Sequence, residues 1–236
     1  MISCERRPCV SIVVPVLNEA TTIAENLAAL APLRAAGAEI IVVDGASADD
    51  SAARAAPFAD RMIVAARGRA RQMNAGARAA RGETLLFLHV DTRLPGDALA
   101  LVREGVRAGA VWGRFDIVIV GRSRLLPLVA ALMNARSRLT GVATGDQAIF
   151  VRRDVFEDVG GFPDIALMED VALSRRLKRH AAPLCLSARA RTSGRRWDDN
   201  GALRTIMLMW RLRLSYFFGA DPNDLARRYG YRPQTD

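Results

Sequence analysis

Residues 84–92 read Thr-Leu-Leu-Phe-Leu-His-Val-Asp-Thr, an almost unbroken apolar run of strand length that ends in a carboxylate and is followed by Arg93-Leu94-Pro95. Such a run fits a strand buried on both faces, whose last residues emerge at the edge of a sheet. Packing has no use for an acid there, whereas the carboxyl edge of an open α/β sheet is where ligands bind. Glu39 to Val43 repeats the grammar and opens onto Asp44-Gly45-Ala46-Ser47. Two strands therefore each deliver an aspartate to one rim, although either acid alone serves equally well as the cap of a following helix.

The chain before and between these strands keeps the same rhythm. Val10 to Val16 is a first apolar strand that exits at Leu17-Asn18-Glu19. A helix is expected from about Thr21, with Ile23, Leu27, Leu30 and Leu33 as its buried stripe and Gly37 as a left-handed stop. Ser47 to Asp50 can start a short helix, and Arg61 to Val64 reads as a third strand. Strand, helix, strand, helix, strand is the cadence of a parallel sheet with right-handed crossovers. Gly68 to Arg81 is an Ala-rich helix closed by Gly82, with Arg69, Gln72 and Ala75 or Gly76 on one face. Its small residues allow close approach to the sheet, and its N-terminal Arg and amides can receive an anion; a solvated arginine face accounts for the same pattern.

Downstream, Val111 to Val120 is a long strand, and Leu125 to Leu139 an amphipathic helix that either covers the core or acts as a lid or membrane-surface element. Asp146 follows in a loop and is a candidate for an acceptor hydroxyl. Glu169-Asp170 opens a helix carrying Val171, Leu173 and Leu177, where the helix dipole favours an acid whatever its function. Pro183 to Ala188 is a short strand, and Thr192 to Trp197 a closing loop over the site. Beyond Asn200 the tail is helical, basic and densely apolar from Ile206 to Phe218, with a last helix from Leu225 to Tyr229. It must dock on its own domain, on a second copy or on a bilayer face.

Composition narrows the classes. The 236 residues are 50% hydrophobic, enough for a full core. Formal charge is +9 and Lys178 is the only lysine, so the cations are arginines suited to phosphate or anionic lipid. These arginines are spread along the chain without interleaved aromatics, which argues against nucleic acid as partner. Cys4, Cys9 and Cys185 match no metal or redox spacing, so a reduced, cytoplasmic protein is expected. No secretory signal precedes Glu5-Arg6-Arg7. No stretch reaches the apolar length of about 20 residues that spans a bilayer.

In order along the chain, Val14 to Glu19, Val42 to Ser47, Gly68 to Asn74 and Phe87 to Asp91 resemble the nucleotide-sugar-binding half of family 2 glycosyltransferases of GT-A fold. Thr144-Gly145-Asp146-Gln147, Phe150 to Arg153, Gly160-Gly161-Phe162 and Met168 to Leu177 resemble that family's acceptor half. The similarity covers roughly residues 10–190, and within the family it is greatest to small bacterial members catalogued with arsenosugar biosynthesis. The resemblance implies an α/β, Rossmann-like, mostly parallel sheet flanked by helices, with a GT-A domain at 8–196 and a helical C-terminal extension at 197–236.

It also implies roles. Pro15, Glu19 and Asp44 would meet the nucleoside of a nucleoside diphosphate sugar, and Arg71 its base or diphosphate. His89-Val90-Asp91 stands at the family's Asp-x-Asp, leaving Asp91 as ligand of Mg²⁺ or Mn²⁺, with His89 as a second ligand, a phosphate donor or a packed histidine. Asp146 would contact acceptor, and Arg196-Trp197 the donor diphosphate. Asp170 would be the general base of an inverting transfer to a hydroxyl acceptor, supported by Glu169. Peripheral membrane contact through the basic tail and oligomerisation both remain open. A nucleotidyltransferase on a related sheet is an alternative; a nicotinamide enzyme is disfavoured because Pro15 to Thr22 has no glycine-rich phosphate loop. His89 in place of the first acid also makes a non-catalytic nucleotide-binding or membrane-associated protein conceivable.

Overall fold

The computed structural model of the chain describes residues 9–231; Cys4, Glu5-Arg6-Arg7, the first residue of the expected domain and residues 232–236 of the expected extension lie outside the described residues. Val10–Val16 forms β1, every residue of it buried, and Ala38–Asp44 forms β2 in the same way. Burial on both faces is what a helix-covered parallel strand requires, and the two pair in parallel with Val16 beside Asp44. The helix expected between them is divided into α1 (Ile23–Ala28) and α2 (Ala31–Ala35). Pro32 accounts for the break, since it has no N–H to continue the ladder. The stripe survives it, with Ile23, Leu27, Leu30 and Leu33 all buried, and Gly37 turns the chain at φ +88°.

After β2 come α3 (Ser51–Ala55), β3 (Arg61–Val64), α4 (Arg69–Ala79) and β4 (Thr84–Phe87). The strand β3 pairs in parallel with β2, and β4 lies parallel on the other side of β1. α4 crosses this sheet at Gly76, where a methyl group would sit 2.3 Å from Val13 Cγ1 and 2.9 Å from Val43 Cγ2. The apolar run of β4 leaves the sheet earlier than its composition suggests. His89, Val90 and Asp91 form a turn closed by Thr92 N–H donating to His89 O at 3.0 Å.

The rest of the chain supplies β5 (Thr92–Arg93), α5 (Ala98–Arg107), β6 (Trp112–Val120), α6 (Leu126–Thr140), β7 (Phe150–Arg152), α7 (Arg153–Asp158), α8 (Glu169–Leu177) and β8 (Leu184–Ser193). The eight strands form one sheet in the order β3-β2-β1-β4-β7-β6-β8-β5. Six run one way; β7 and β5 oppose their neighbours. The short strand expected at 183–188 extends to Ser193 because β6 offers it a parallel partner as far as Val120. The closing loop expected at 192–197 is therefore strand end, Gly194 and the start of α9 (Arg195–Asn200).

Helices α10 (Ala202–Phe217) and α11 (Pro222–Tyr229) complete the described chain. Leu212, Leu225 and Ala226 pack with Leu167, Met168 and Val171 at the start of α8, so the tail docks on its own chain. The outer side of α10 does not: Leu203, Met207, Trp210, Leu214 and Phe217 are exposed. Opposite it, α6 is pinned to β6 by Asn134, whose amide bonds both the N–H and the carbonyl of Ile117. Among the described residues, no helix is long and apolar enough to cross a membrane.

Candidate active site

Because β1, β2 and β4 run in parallel, their exits share one edge, and two adjoining cavities open there. The first, of about 370 Å³, is lined by Pro15, Glu19, His89, Asp91, Asp146, Arg196 and Trp197 among the expected residues. The second, of about 920 Å³, takes in Glu169 and Asp170. Arg69, His89, Asp146, Trp197, Met209 and Tyr229 belong to both and form the wall between them. Asp91 and Asp170 thus face neighbouring compartments of one cleft.

Two expected residues line neither cavity. The carboxylate of Asp44 is turned into its own loop, where it accepts hydrogen bonds from Ser47 N–H at 2.9 Å and Ser47 Oγ–H at 2.5 Å. Only 3% of Asp44 is exposed, and it caps no helix: α3 begins at Ser51 with Asp50 before it, so Asp44 closes a turn of its own loop instead. Arg71 is drawn to Asp164, its Nε lying 3.0 Å from both carboxylate oxygens. Two residues earlier on α4, about 200° round the helix, Arg69 lines the cleft instead.

The electrostatics of the first cavity centre on Asp91. Burial raises its carboxyl above the usual range; Asp146 and Glu19 add to this and His89 opposes it. His89 Nδ1 lies 3.2 Å from Asp146 Oδ1. Its Nε2 packs on Gly145, where a methyl group would come within 2.3 Å. Burial works against the imidazolium, but the hydrogen bond and charge of Asp146 outweigh it, and His89 stays above its ordinary value. Asp146 goes the other way: burial would raise it, and His89 and Arg69 hold it below the usual carboxylate range. His89 is thus packed and hydrogen-bonded through Nδ1, and its ring lines both cavities.

Among the described residues, no three His, Cys, Asp or Glu side chains cluster into a protein cage for a metal. A half-buried carboxylate whose charge is unfavourable, with Glu19 and Asp146 on the same cavity and arginines at its rim, does fit a hard divalent cation that takes its remaining ligands from phosphate oxygens and water.

The second cavity begins at the first turn of α8. Glu169 is buried and its Oε1 pairs with Arg69 Nε at 3.1 Å. The Glu169 charge raises the Arg69 guanidinium above its already high value. Glu169 therefore holds Arg69 in the dividing wall. Asp170 Oδ2 accepts from Gly145 N–H at 2.8 Å and Oδ1 from Val171 N–H at 2.6 Å. Each oxygen keeps a second lone pair for a hydroxyl. Met168, just before the pair, sits at φ +70°. Among the described residues, the other non-glycine positions at positive φ are Asn18, Ala46 and Ala148, each within two residues of Glu19, Asp44 or Asp146. Such conformations cost about 1–3 kcal/mol each and concentrate at functional sites.

Arg69, Arg195, Tyr229 and Tyr231 line the site without having been among the expected site residues. Arg195 reaches Glu19 Oε1 at 3.4 Å. Arg196 stacks on Tyr229, its guanidinium carbon 3.5 Å from the ring centroid, and donates to the Tyr229 carbonyl. Tyr229 and Tyr231 come from the tail, which closes the first cavity. Arg69 carried a sequence signal, as the first residue of a helix poised to receive an anion. The tyrosines carried none, because their place depends on how α11 docks.

The sequence model of the family described as Glycosyl transferase family 2 matches residues 11–160. No curated protein matches the chain. Among solved structures, it is similar to S. aureus TarS 1-349, with 20% identity and a TM-score of 0.63 over 78% of this chain and 60% of that one. It is likewise similar to the mannosyltransferase PcManGT of Pyrobaculum calidifontis in complex with GDP-Man and Mn²⁺, at 23% identity and TM-score 0.63 over 96% and 70% of the two chains. For glucosyl-3-phosphoglycerate synthase of Mycobacterium tuberculosis in complex with Mn²⁺, UDP and glucosyl-3-phosphoglycerate, the values are 18% and 0.64 over 98% and 82%. At such identities the likeness carries the GT-A fold. It does not extend to the arsenosugar-associated group.

Proposed function

The chain belongs to glycosyl transferase family 2, and from that premise we propose that it moves a sugar, with inversion, from a nucleoside diphosphate sugar in the first cavity to a hydroxyl acceptor in the second. One observation carries the reading: Asp91 and Asp170 face adjoining compartments whose common wall holds Arg69 and His89. A group bound against that wall is within reach of both.

In this reading the nucleoside side of the donor enters past Pro15 and Glu19, and its diphosphate lies near Asp91, Arg69, Arg195 and Arg196. Mg²⁺ or Mn²⁺, held by Asp91 together with diphosphate oxygens, would neutralise charge on the leaving group. The arginines add fixed positive charge where negative charge develops. Asp170, oriented by Gly145 and Val171 N–H groups, takes the acceptor hydroxyl proton while the new glycosidic bond forms and the sugar–phosphate bond breaks. Glu169 acts through Arg69, and His89 sets the direction of Asp146. The GDP-Man and UDP held by two of the structural neighbours accord with a nucleotide donor.

The test is a panel of UDP- and GDP-sugars assayed for nucleotide release with and without Mn²⁺. Asp170→Asn is expected to lower turnover about 10²- to 10⁴-fold, the usual worth of a general base, with nucleotide affinity within about twofold. Asp91→Ala is expected to abolish the metal dependence of nucleotide binding. Undiminished turnover in Asp170→Asn overturns the assigned base, and metal-independent binding by the parent chain overturns the role of Asp91.

A further inference from the structure

The second cavity is larger than a sugar hydroxyl needs, and its walls are of the wrong chemistry for a sugar alone. Leu128 and Leu132 of α6 face Met207, Trp210 and Phe217 of α10 across it. These side chains are left open to solvent, Leu132 at 54%, Trp210 at 67% and Phe217 at 68%. Folding gives no reason for two helices to present apolar faces to each other without closing. A rimmed apolar surface of this kind marks a binding site. The groove is also continuous with the chemistry, since Asp170, Asp146 and Arg69 line its inner end.

Unpaired arginine donors stand beside those acids. Arg136 lines the groove, and its Nε and Nη2 are buried without a hydrogen-bond partner among the described residues. Arg213, also lining it, has a buried, unpartnered Nε. Buried guanidinium donors left unspent are costly and are best satisfied by an anionic oxygen. Burial accordingly weakens the hold of Arg136 on its proton, with Asp170 opposing and Arg114 adding.

We propose that the acceptor is an amphiphile with one long apolar chain and an anionic head, its chain lying between α6 and α10 and its head beside Arg136, which brings its reactive oxygen to Asp170. This deepens the transferase reading above and rests on it. A second copy of the chain fits the groove less well, because a protein of net charge +9 would bring like charge to the unpartnered donors of Arg136 and Arg213. A flat bilayer surface does not reach Asp170 at the inner end. A single lipid molecule, taken from a membrane or from solution, does.

The probe is a series of alkyl phosphates from hexyl to dodecyl, used below micelle-forming concentration, with binding to the full chain read by tryptophan fluorescence. Affinity is expected to rise two- to about fourfold per methylene, the upper figure corresponding to full burial of each group. Dodecyl maltoside, uncharged at the head, should bind at least about tenfold more weakly than dodecyl phosphate, the order of a charge-assisted hydrogen bond. Leu132→Asp should weaken dodecyl phosphate by a similar factor. Arg136→Gln should weaken the phosphate and leave the maltoside unchanged. Thermal unfolding verifies that both variants fold, and Leu132 is exposed enough for the change to be tolerated.

An affinity independent of chain length, or unaltered by both substitutions, overturns the inference. So does association with anionic vesicles without binding of the monomeric alkyl phosphate, which would make α10 a surface anchor. A dimer in sedimentation that Leu132→Asp dissociates would assign the groove to a second copy and overturn it as well. Binding of UDP or GDP with Mn²⁺, measured separately on the parent chain, tests the donor site alone. Its failure would refute the transferase reading without touching the chain-length series.

Discussion

Gly76→Ala tests how tightly the cleft depends on packing beneath it. The added methyl group would lie 2.3 Å from Val13 Cγ1 and 2.9 Å from Val43 Cγ2, whereas carbon atoms rest at about 3.5–4.0 Å. Neither valine can yield, because both are fully buried in adjacent strands and β-branched side chains are stiff at χ1. α4 must therefore rise by about 1 Å to restore contact distance. Gln72, on the same helix, donates to Val16 O at 2.7 Å and Val43 O at 2.8 Å, and a rise of that size breaks both bonds. Overpacking costs about 1–3 kcal/mol, the two hydrogen bonds roughly 1 kcal/mol each, and the helical preference for Ala returns about 1 kcal/mol. The net loss is about 2–4 kcal/mol on those figures. Urea unfolding measures it, and Val13→Ala in the same chain, which removes Cγ1, should recover at least about 1 kcal/mol beyond additivity. Arg69 rides on the displaced helix, so nucleotide affinity should fall alongside. A Gly76→Ala protein within about 1 kcal/mol of the parent, the size of ordinary substitution effects, or strict additivity with Val13→Ala, would refute the reasoning.

Burial holds the Glu169 carboxyl above its usual 4.5, with Arg69 opposing and Asp170 adding. The native state keeps this proton to a higher pH than the unfolded chain, so its contribution to stability declines as pH rises from 4.5 through the native value and then levels off. Glu169→Gln should flatten that decline in urea midpoints taken between about pH 4 and pH 8, and parallel profiles for the two proteins would exclude it. Tyr229→Ala removes the ring under Arg196, and nucleotide affinity should drop about three- to thirtyfold, the worth of a cation–π contact of about 0.5–2 kcal/mol. Tyr229→Phe keeps the ring and should retain parent affinity in the same calorimetric titration; equal loss in both variants would contradict the stacking role.

The parallel half of the sheet was legible because burial on both faces writes itself into the chain as continuous apolar runs, as in Ile12 to Val16 and Ile40 to Val43. The acids at the strand exits were legible for the converse reason, being polar where packing asks for none. What escaped was decided by geometry that no local pattern encodes. Asp44 and Asp91 look alike in sequence; the conformation of the Ala46–Ser47 loop ties one carboxylate to Ser47 and leaves the other to the cleft. Arg69 and Arg71 differ by two positions on α4, and the helix sends one to the cavity and the other to Asp164. The full length of β8 depended on β6 as partner, and the tyrosines of the tail depended on Leu225 and Ala226 finding Leu167 and Met168. Each is a long-range choice between locally equivalent residues.

The partition between the two compartments has a thermodynamic corollary. Its side chains touch whatever fills either side, so a first ligand that shifts Tyr229 or Arg69 alters the welcome given to the second, and reciprocity requires the same factor in both directions. Such coupling selects no order of addition: whichever molecule enters first, the wall it settles changes the hold on the other by one shared factor.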